Sequence, residues 1–204
     1  MQTGAYQQEQ HEAIVLAASH LDTLSRDRIE ALKIAAREYL NFRDNVDAFL
    51  NTYFASTCTQ NCFQGSLSAC CSREGIITFF ADIVINALFS TSDERNRLLT
   101  VLQQPNAGSK CVYLEPQGCL WRIKPIVCQM FLCDAAKAQV FSDQPSAKSD
   151  WNDLKNREKQ FTWPDKIVLF DDLESFFINA GYVSSLMYLH NSPGLLLVKK
   201  RAGL

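Results

Sequence analysis

Ile76-Ile77-Thr78-Phe79-Phe80-Ala81-Asp82-Ile83-Val84-Ile85-Asn86-Ala87-Leu88-Phe89 is the most apolar stretch of the chain, and its reading decides the fold. A helix that is apolar all round belongs in a protein core or a membrane. Asp82 and Asn86 interrupt this one, and it falls short of the roughly 20 residues a bilayer span needs. The stretch therefore predicts a buried central helix, running from about Ser72 to Ser90, with the remaining elements wrapped around it. Only eight Gly and six Pro in 204 residues leave little turn chemistry for a many-stranded β protein. The expectation is a mainly α, single-domain protein over residues 1–204.

Working outward toward the start, residues 1–57 hold no cysteine and read as N-terminal helices. Glu9 to Leu21 is a short amphipathic candidate. From Ser25, a plausible N-cap, Ile29, Leu32, Ala36, Tyr39, Val46, Leu50 and Tyr53 recur at three, four or seven residues. That spacing predicts one long helix, or two with a break near Asn41 to Asp44. The opposite side carries Arg26, Lys33, Arg37, Arg43 and Asp47 and reads as a solvated face. Thr57 to Cys71 has no helical period and is expected to be irregular.

Toward the end, Thr91-Ser92-Asp93-Glu94 is a capping box opening a helix through Leu102. Pro116, Gly118 and Pro125 break Lys110 to Asp134 into short strands or loops, with a helical start after Pro125. Asp143 to Asp150 reads as a polar linker. Residues 150–204 are expected to hold helices and a hairpin. Asp171 and Glu174 form a second capping-box-like pattern for a helix ending near Gly181. Leu186 to His190 and Leu195 to Lys199 flank Asn191-Ser192-Pro193-Gly194 as a short C-terminal β-hairpin.

The eight cysteines carry the chemistry. They fall into Cys58-x3-Cys62-x7-Cys70-Cys71 and Cys111-x7-Cys119-x8-Cys128-x4-Cys133, separated by 39 residues without one. The polar start, Met1 to Glu12, lacks the pattern of a signal peptide, so a cytoplasmic location is expected. Thiols are kept reduced there, and clustered cysteines then read as metal ligands. Zn²⁺ takes four thiolates or imidazoles in a tetrahedron, and iron–sulfur clusters typically take four thiolates. Residues 58–134 are thus an irregular cysteine-rich metal-binding subregion, with all eight cysteines as candidate ligands of zinc or an iron–sulfur cluster. Neighbouring side chains diverge, so Cys70 and Cys71 suit two metals, one each, better than one, the alternative being that one ligates while the other packs. Arg73, Lys110, Arg122 and Lys124 flank the cysteines and are candidates to offset thiolate charge.

The ordered set Cys70-Cys71, Cys111-Val112-Tyr113-Leu114-x3-Gly118-Cys119 and Lys124-Pro125-x2-Cys128-x4-Cys133 resembles the YkgJ-like family. Those proteins are described as zinc- or iron-chelating, with a CxxxCxxCC-type cysteine cluster. The resemblance covers roughly Cys58 to Asp134, and His190-Asn191-Ser192-Pro193-Gly194-Leu195-Leu196 is similar to an ending found in larger members. It implies a metal or cluster site at these cysteines. This chain departs from the pattern in having Lys124 where an arginine is usual, and in the longer gap from Cys62 to Cys70. Some relatives, including flagellin lysine methylases, join such a cluster to protein modification, so a methylase-like enzyme is one alternative. A disulfide-stabilised interaction protein is the other.

The remaining candidates read more simply. His190 beside the turn is a candidate ligand or proton relay, outweighed by an ordinary structural hydrogen bond. His11 and His20 are nine apart and form no metal clip. Glu74 and Asp82 are candidate oxygen ligands or bases, with a helix-start carboxylate the plainer reading. Phe79, Phe80, Phe89, Phe131 and Phe141 read as core, and Lys199-Lys200-Arg201 as a solubilising tail. A net charge of −2 argues against a broad nucleic-acid face. No phosphate loop or nucleophile elbow is readable.

Overall fold

The computed structural model describes residues 4–73, 77–163 and 167–189, together with 196, 199, 200 and 203. Among the described residues the architecture is mainly helical. The chain order is α1 (Ala5–Thr23), α2 (Arg26–Ala35), α3 (Arg37–Phe54), a π-helical segment (Ala55–Gln64), α4 (Phe80–Phe89) and α5 (Ser92–Leu102). A two-stranded antiparallel hairpin follows, β1 (Leu114–Glu115) and β2 (Gly118–Cys119), with Leu114 opposite Cys119. Next come α6 (Ile126–Gln129), α7 (Asp134–Asp143), α8 (Pro145–Thr162), α9 (Leu169–Asn179) and a 3₁₀ turn (Ser185–Leu189). No described helix is long and apolar enough to cross a membrane.

The central apolar helix is where the sequence puts it. Phe80 through Leu88 are buried, and α4 packs against α1, α2 and α9. Each fully buried Phe, Ile or Leu there contributes roughly 1.5–3 kcal/mol. Its start differs from the expected Ser72. Asp82 Oδ2 accepts the Phe79 N–H at 3.1 Å, which caps the helix, while Ser72 pairs with Lys110 as an isolated antiparallel bridge. Residues 70–73 are thereby drawn alongside 109–111.

Ser25 caps α2 through its hydroxyl, and Thr91 and Glu94 exchange both bonds of the expected capping box, at 3.2 and 2.7 Å. The break in the second N-terminal segment falls at Ala36 instead of Asn41 to Asp44. Asn45 donates to the Asn41 carbonyl at 2.8 Å, so the polar residues there sit within a continuing helix. Residues 55–64 are π-helical where an irregular loop was expected. Their i→i+5 bonding leaves no α-period to read. Asp143 to Asp150 is no linker, because Gln144 alone separates α7 from α8 and Pro145 occupies the first turn of α8.

At the C-terminal end, Leu186–Leu189 form the 3₁₀ turn and not a strand. Ser184 sets it up, its carbonyl accepting from Met187 N at 3.1 Å and its hydroxyl from Leu186 N at 3.3 Å. Leu196, Lys199 and Lys200 are helical. The turn Asn191 to Gly194, with His190, lies outside the described residues, as does Glu74. Lys199 is not a solubilising residue. It is 6% exposed, donates to the Met187 carbonyl, and stands 3.3 Å from the wholly buried Glu174. The capping role in α9 falls to Asp171, which accepts the Val168 N–H at 3.0 Å. Of the aromatic series, Phe80 is core and Phe79, Phe89 and Phe141 pack against it, whereas Phe131 is 52% exposed.

Candidate metal centre

The chain brings the cysteines together by a few backbone contacts. The π-helical segment carries Cys58 and Cys62 and ends at Gly65, where a Cβ would lie 2.3 Å from the Asn61 carbonyl oxygen. The chain then turns through Ser66 and Ser68, both in the left-handed region (φ 62° and 39°). Leu67 and Ser68 donate to the Cys62 carbonyl at 2.9 and 3.0 Å, which returns the strand toward the segment it left. Cys71 donates to Ser68 O and its carbonyl accepts from Cys111 N, both at 3.0 Å. Cys111 precedes β1, Cys119 ends β2, Cys128 lies in α6, and Cys133 caps the start of α7.

All eight cysteines are free thiols. Their mutual electrostatics links the two sequence groups. Burial pushes Cys58 up to about 11, and Cys70, Cys133 and Cys62 push it further in the same direction. Burial likewise raises Cys111 to about 12, with Cys119 and Cys128 adding to it. Cys71 feels Cys111, Cys119 and Cys128. Charges are largely screened beyond about 8–10 Å, so these influences mark neighbours. They link Cys58 with Cys62, Cys70 and Cys133, and Cys111 with Cys71, Cys119 and Cys128, and Cys70 acts on Cys128 as well. These influences cross between the two sequence groups, from Cys58 to Cys133 and from Cys71 to Cys111, Cys119 and Cys128.

Within the pair, the mutual influence of the neighbouring thiols lowers Cys71 and raises Cys70, with burial raising both. Backbone N–H groups supply further donors to sulfur: Tyr113 and Leu114 to Cys111, Trp121 to Cys119, Ile77 to Cys128, and Ala69 to Cys62 at 3.3 Å. Such donors stabilise negative charge on sulfur and suit ligand thiolates. Cys70 is raised by Cys71 and by burial, and Cys119 by burial, with Lys124 opposing the rise at both. The other flanking cations do different work. Lys110 Nζ donates to the Leu67 and Ser68 carbonyls, holding the left-handed turn, and Arg122 pairs with Glu94 at 3.4 Å. The Arg73 backbone N–H bonds Ser109 O at 2.9 Å.

The second cysteine loop is anchored in the core by residues that periodicity does not single out. Asp82 Oδ1 accepts the Ile126 N–H and Asn86 Oδ1 the Ile123 N–H, each at 3.0 Å. Arg43, read from sequence as part of a solvated face, is 5% exposed. It bonds the Tyr39 hydroxyl at 2.7 Å, the Gln129 amide oxygen and the Lys124 carbonyl, while Gln129 donates to Asp47. The turn bearing Cys128 is thus gripped on both sides. The available signal was the placing of Asp82 and Asn86, four apart, inside an otherwise apolar helix. Burial holds Asp82 at about 7, against the lowering effect of Arg43 and the two N–H bonds.

Tyr6 and Tyr113 sit beside Cys111 and Cys119, and burial raises both phenols far above their ordinary value. Neither described histidine joins the thiols. His11 bonds Gln103 at 3.1 Å, and His20 is buried against Phe176, Phe177 and Tyr182, with burial lowering its pKa. Among the described residues no three His, Cys, Asp or Glu side chains are arranged to hold a metal ion as they stand. The donor types are nevertheless those a thiophilic metal takes: reduced sulfurs, N–H donors to sulfur, and a lysine acting on Cys70 and Cys119.

No family model, curated protein or solved structure matches this chain.

Proposed function

We propose that the chain is a cysteine-dependent metal-binding protein that holds zinc or an iron–sulfur cluster. The sets Cys58, Cys62, Cys70, Cys133 and Cys71, Cys111, Cys119, Cys128 would supply the sulfurs. One observation supports the reading: eight free thiols from two distant stretches act on one another across those stretches, Cys58 with Cys133 and Cys71 with Cys111, Cys119 and Cys128. Four thiolates are what a closed zinc site or a cluster takes. Thiols raised by burial are costly to ionise alone, and a bound cation offsets that cost, so metal binding would release protons and be favoured by rising pH. The resemblance to the YkgJ-like family supports the same reading.

The test is elemental analysis with an absorption spectrum of protein purified anaerobically, joined to thiol counting in denaturant. Colourless protein with bound zinc supports closed tetrahedral sites. Brown protein with iron and acid-labile sulfide supports a cluster. Eight reactive thiols with no bound metal in such material overturns the proposal.

A further inference from the structure

His20 is a buried titratable group that the thiol chemistry leaves unused. It lies in the last turn of α1 and is 7% exposed. Its ring centroid stands 4.4 Å from that of Tyr182, 4.9 Å from Phe177 and 5.5 Å from Phe176. Among the described residues neither ring nitrogen has a hydrogen-bond partner, and both are closed off from solvent. The imidazole is thus a neutral ring in an apolar box, and the box joins the end of α1 to the end of α9. A proton would turn both nitrogens into donors with nothing to donate to. Ring faces attract a cation, but these rings meet the imidazole tilted or edge-on, at 43°, 73° and 40°. The cost of burying an unpaired ion outweighs such contacts.

The charges on the surrounding elements are engaged elsewhere. Asp22, two residues on, stands 3.7 Å from Arg95 of α5. On that helix Glu94 accepts from Thr91 and pairs with Arg122, Arg97 pairs with Glu115, and Asp93 is exposed. α4 carries Asp82, whose oxygens hold the Phe79 and Ile126 N–H groups. On α9, Asp171 accepts from Val168, Glu174 lies 3.3 Å from Lys199, and Asp172 is exposed. The 3₁₀ turn packed on α1 carries no charged residue. Of the three rings in contact only Tyr182 is titratable. Burial alone lowers the imidazole's pKa, with no charged side chain contributing.

We infer that His20 is a pH-sensitive catch, which when neutral holds the end of α1 in the box of Phe176, Phe177 and Tyr182, and when protonated leaves it. The inference is independent of the metal reading. α1 also reaches the second cysteine loop, through Gln10 Oε1, which accepts the Tyr113 hydroxyl at 3.3 Å. The catch therefore sits at one end of a helix that supports that loop at the other. Once out of the box, the imidazole returns to its ordinary value of 6.5. The open form then binds the proton more readily and is favoured as pH falls through 6.5. From pH 7.5 to 5.5 its opening constant can rise by at most about tenfold.

The experiment compares the full-length protein with His20→Phe, which places in the box a ring that cannot titrate. Both are held in the same metal state at pH 7.5 and 5.5. Amide hydrogen exchange, corrected for its intrinsic pH dependence, reads the opening constant. Exchange in residues 17–23 and 176–182 of the wild type should rise several-fold at pH 5.5, by no more than about tenfold. Those segments of His20→Phe, and α8 in both proteins, should show no rise. An NMR titration of the wild-type His20 ring, assigned by its loss in His20→Phe, should have its midpoint below 6.5. A midpoint at or above 6.5, no rise in the wild type, an equal rise in both proteins, or a rise spread evenly over the chain each overturns the catch. If His20→Phe does not fold, the ring is assigned with His11→Gln and His190→Gln. The wild-type midpoint and the confinement of the rise to the two segments then decide the matter.

Discussion

Asp82 offers the most exposing perturbation, because it joins the buried helix to the loop of Cys128. Its carboxyl is 2% exposed and raised from 3.8 to about 7, with burial outweighing the opposing pull of Arg43 and of the Ile126 and Phe79 N–H groups. In the unfolded chain it returns to the ordinary carboxylate range. Between pH 4 and 7 the folded state therefore binds more protons than the unfolded one. Its contribution to stability is fully present below pH 4 and is lost as pH rises through 7. At about 1.4 kcal/mol per unit, the loss is at most about 4 kcal/mol. Asp82→Asn removes the titration but keeps one acceptor oxygen, so one buried N–H is orphaned at a cost of about 1–3 kcal/mol. Denaturant unfolding of both proteins, in the same metal state from pH 4 to 8, should show the wild-type advantage over Asp82→Asn shrinking as pH rises. Subtraction cancels the titration of other groups, including Glu174, which burial pushes up to about 8. Parallel curves for the two proteins would refute the reasoning.

Three further outcomes are expected. Lys199→Met leaves Glu174 buried without its cation, and since breaking one partner of a buried pair costs about 3–5 kcal/mol where the carboxylate is ionised, the variant should melt markedly lower above pH 8 and less so at pH 6; an unchanged midpoint at both would place the pair in solvent. Gly65→Ala pushes a methyl to within 2.3 Å of the Asn61 carbonyl and should cost about 1–3 kcal/mol as an overpacking change, seen as lower resistance to denaturant and faster alkylation of Cys62. Metal removal should raise hydrogen exchange in residues 57–71 and 110–134 before it does so in α1, α2 and α3. Uniform acceleration across the chain would contradict that order.

What the sequence discloses here is local. Thr91 with Glu94, Ser25, and the helix after Pro125 are legible because cap and first turn are neighbours in the chain. The buried span 80–88 is legible because nothing but a core accommodates it. The misreadings share one cause, which is that a distant partner decides. Arg43 looks solvated on its own helix, but the Lys124 carbonyl and Gln129, some eighty positions away, take it into the core. Lys199 looks like a tail until Glu174 is found beneath it. Asp143 to Asp150 is polar because α8 shows much of its surface to water, not because it is a linker. Phe131, exposed between Cys128 and Cys133, follows the geometry of the cysteine loop and not its own hydrophobicity.

The cysteines are legible as a count and a spacing, but the influences between the two groups are not. Sequence order groups Cys58, Cys62, Cys70 and Cys71 together, whereas in the fold Cys133 also acts on Cys58 and Cys111 on Cys71. Two constraints act on the strand that carries the pair. The bridge between Ser72 and Lys110 carries Cys71 toward Cys111 and the hairpin. The left-handed turn at Ser66 and Ser68, pinned by Lys110, folds Cys70 back toward the π-helical segment. Adjacent side chains must diverge, so a strand held between these two partners can only offer one sulfur to each. Lys110→Met should therefore disturb both sets together, through the turn it holds, and slow or weaken metal uptake at each. Loss at one set alone would mean that the turn at Ser66 and Ser68 holds its place without the lysine.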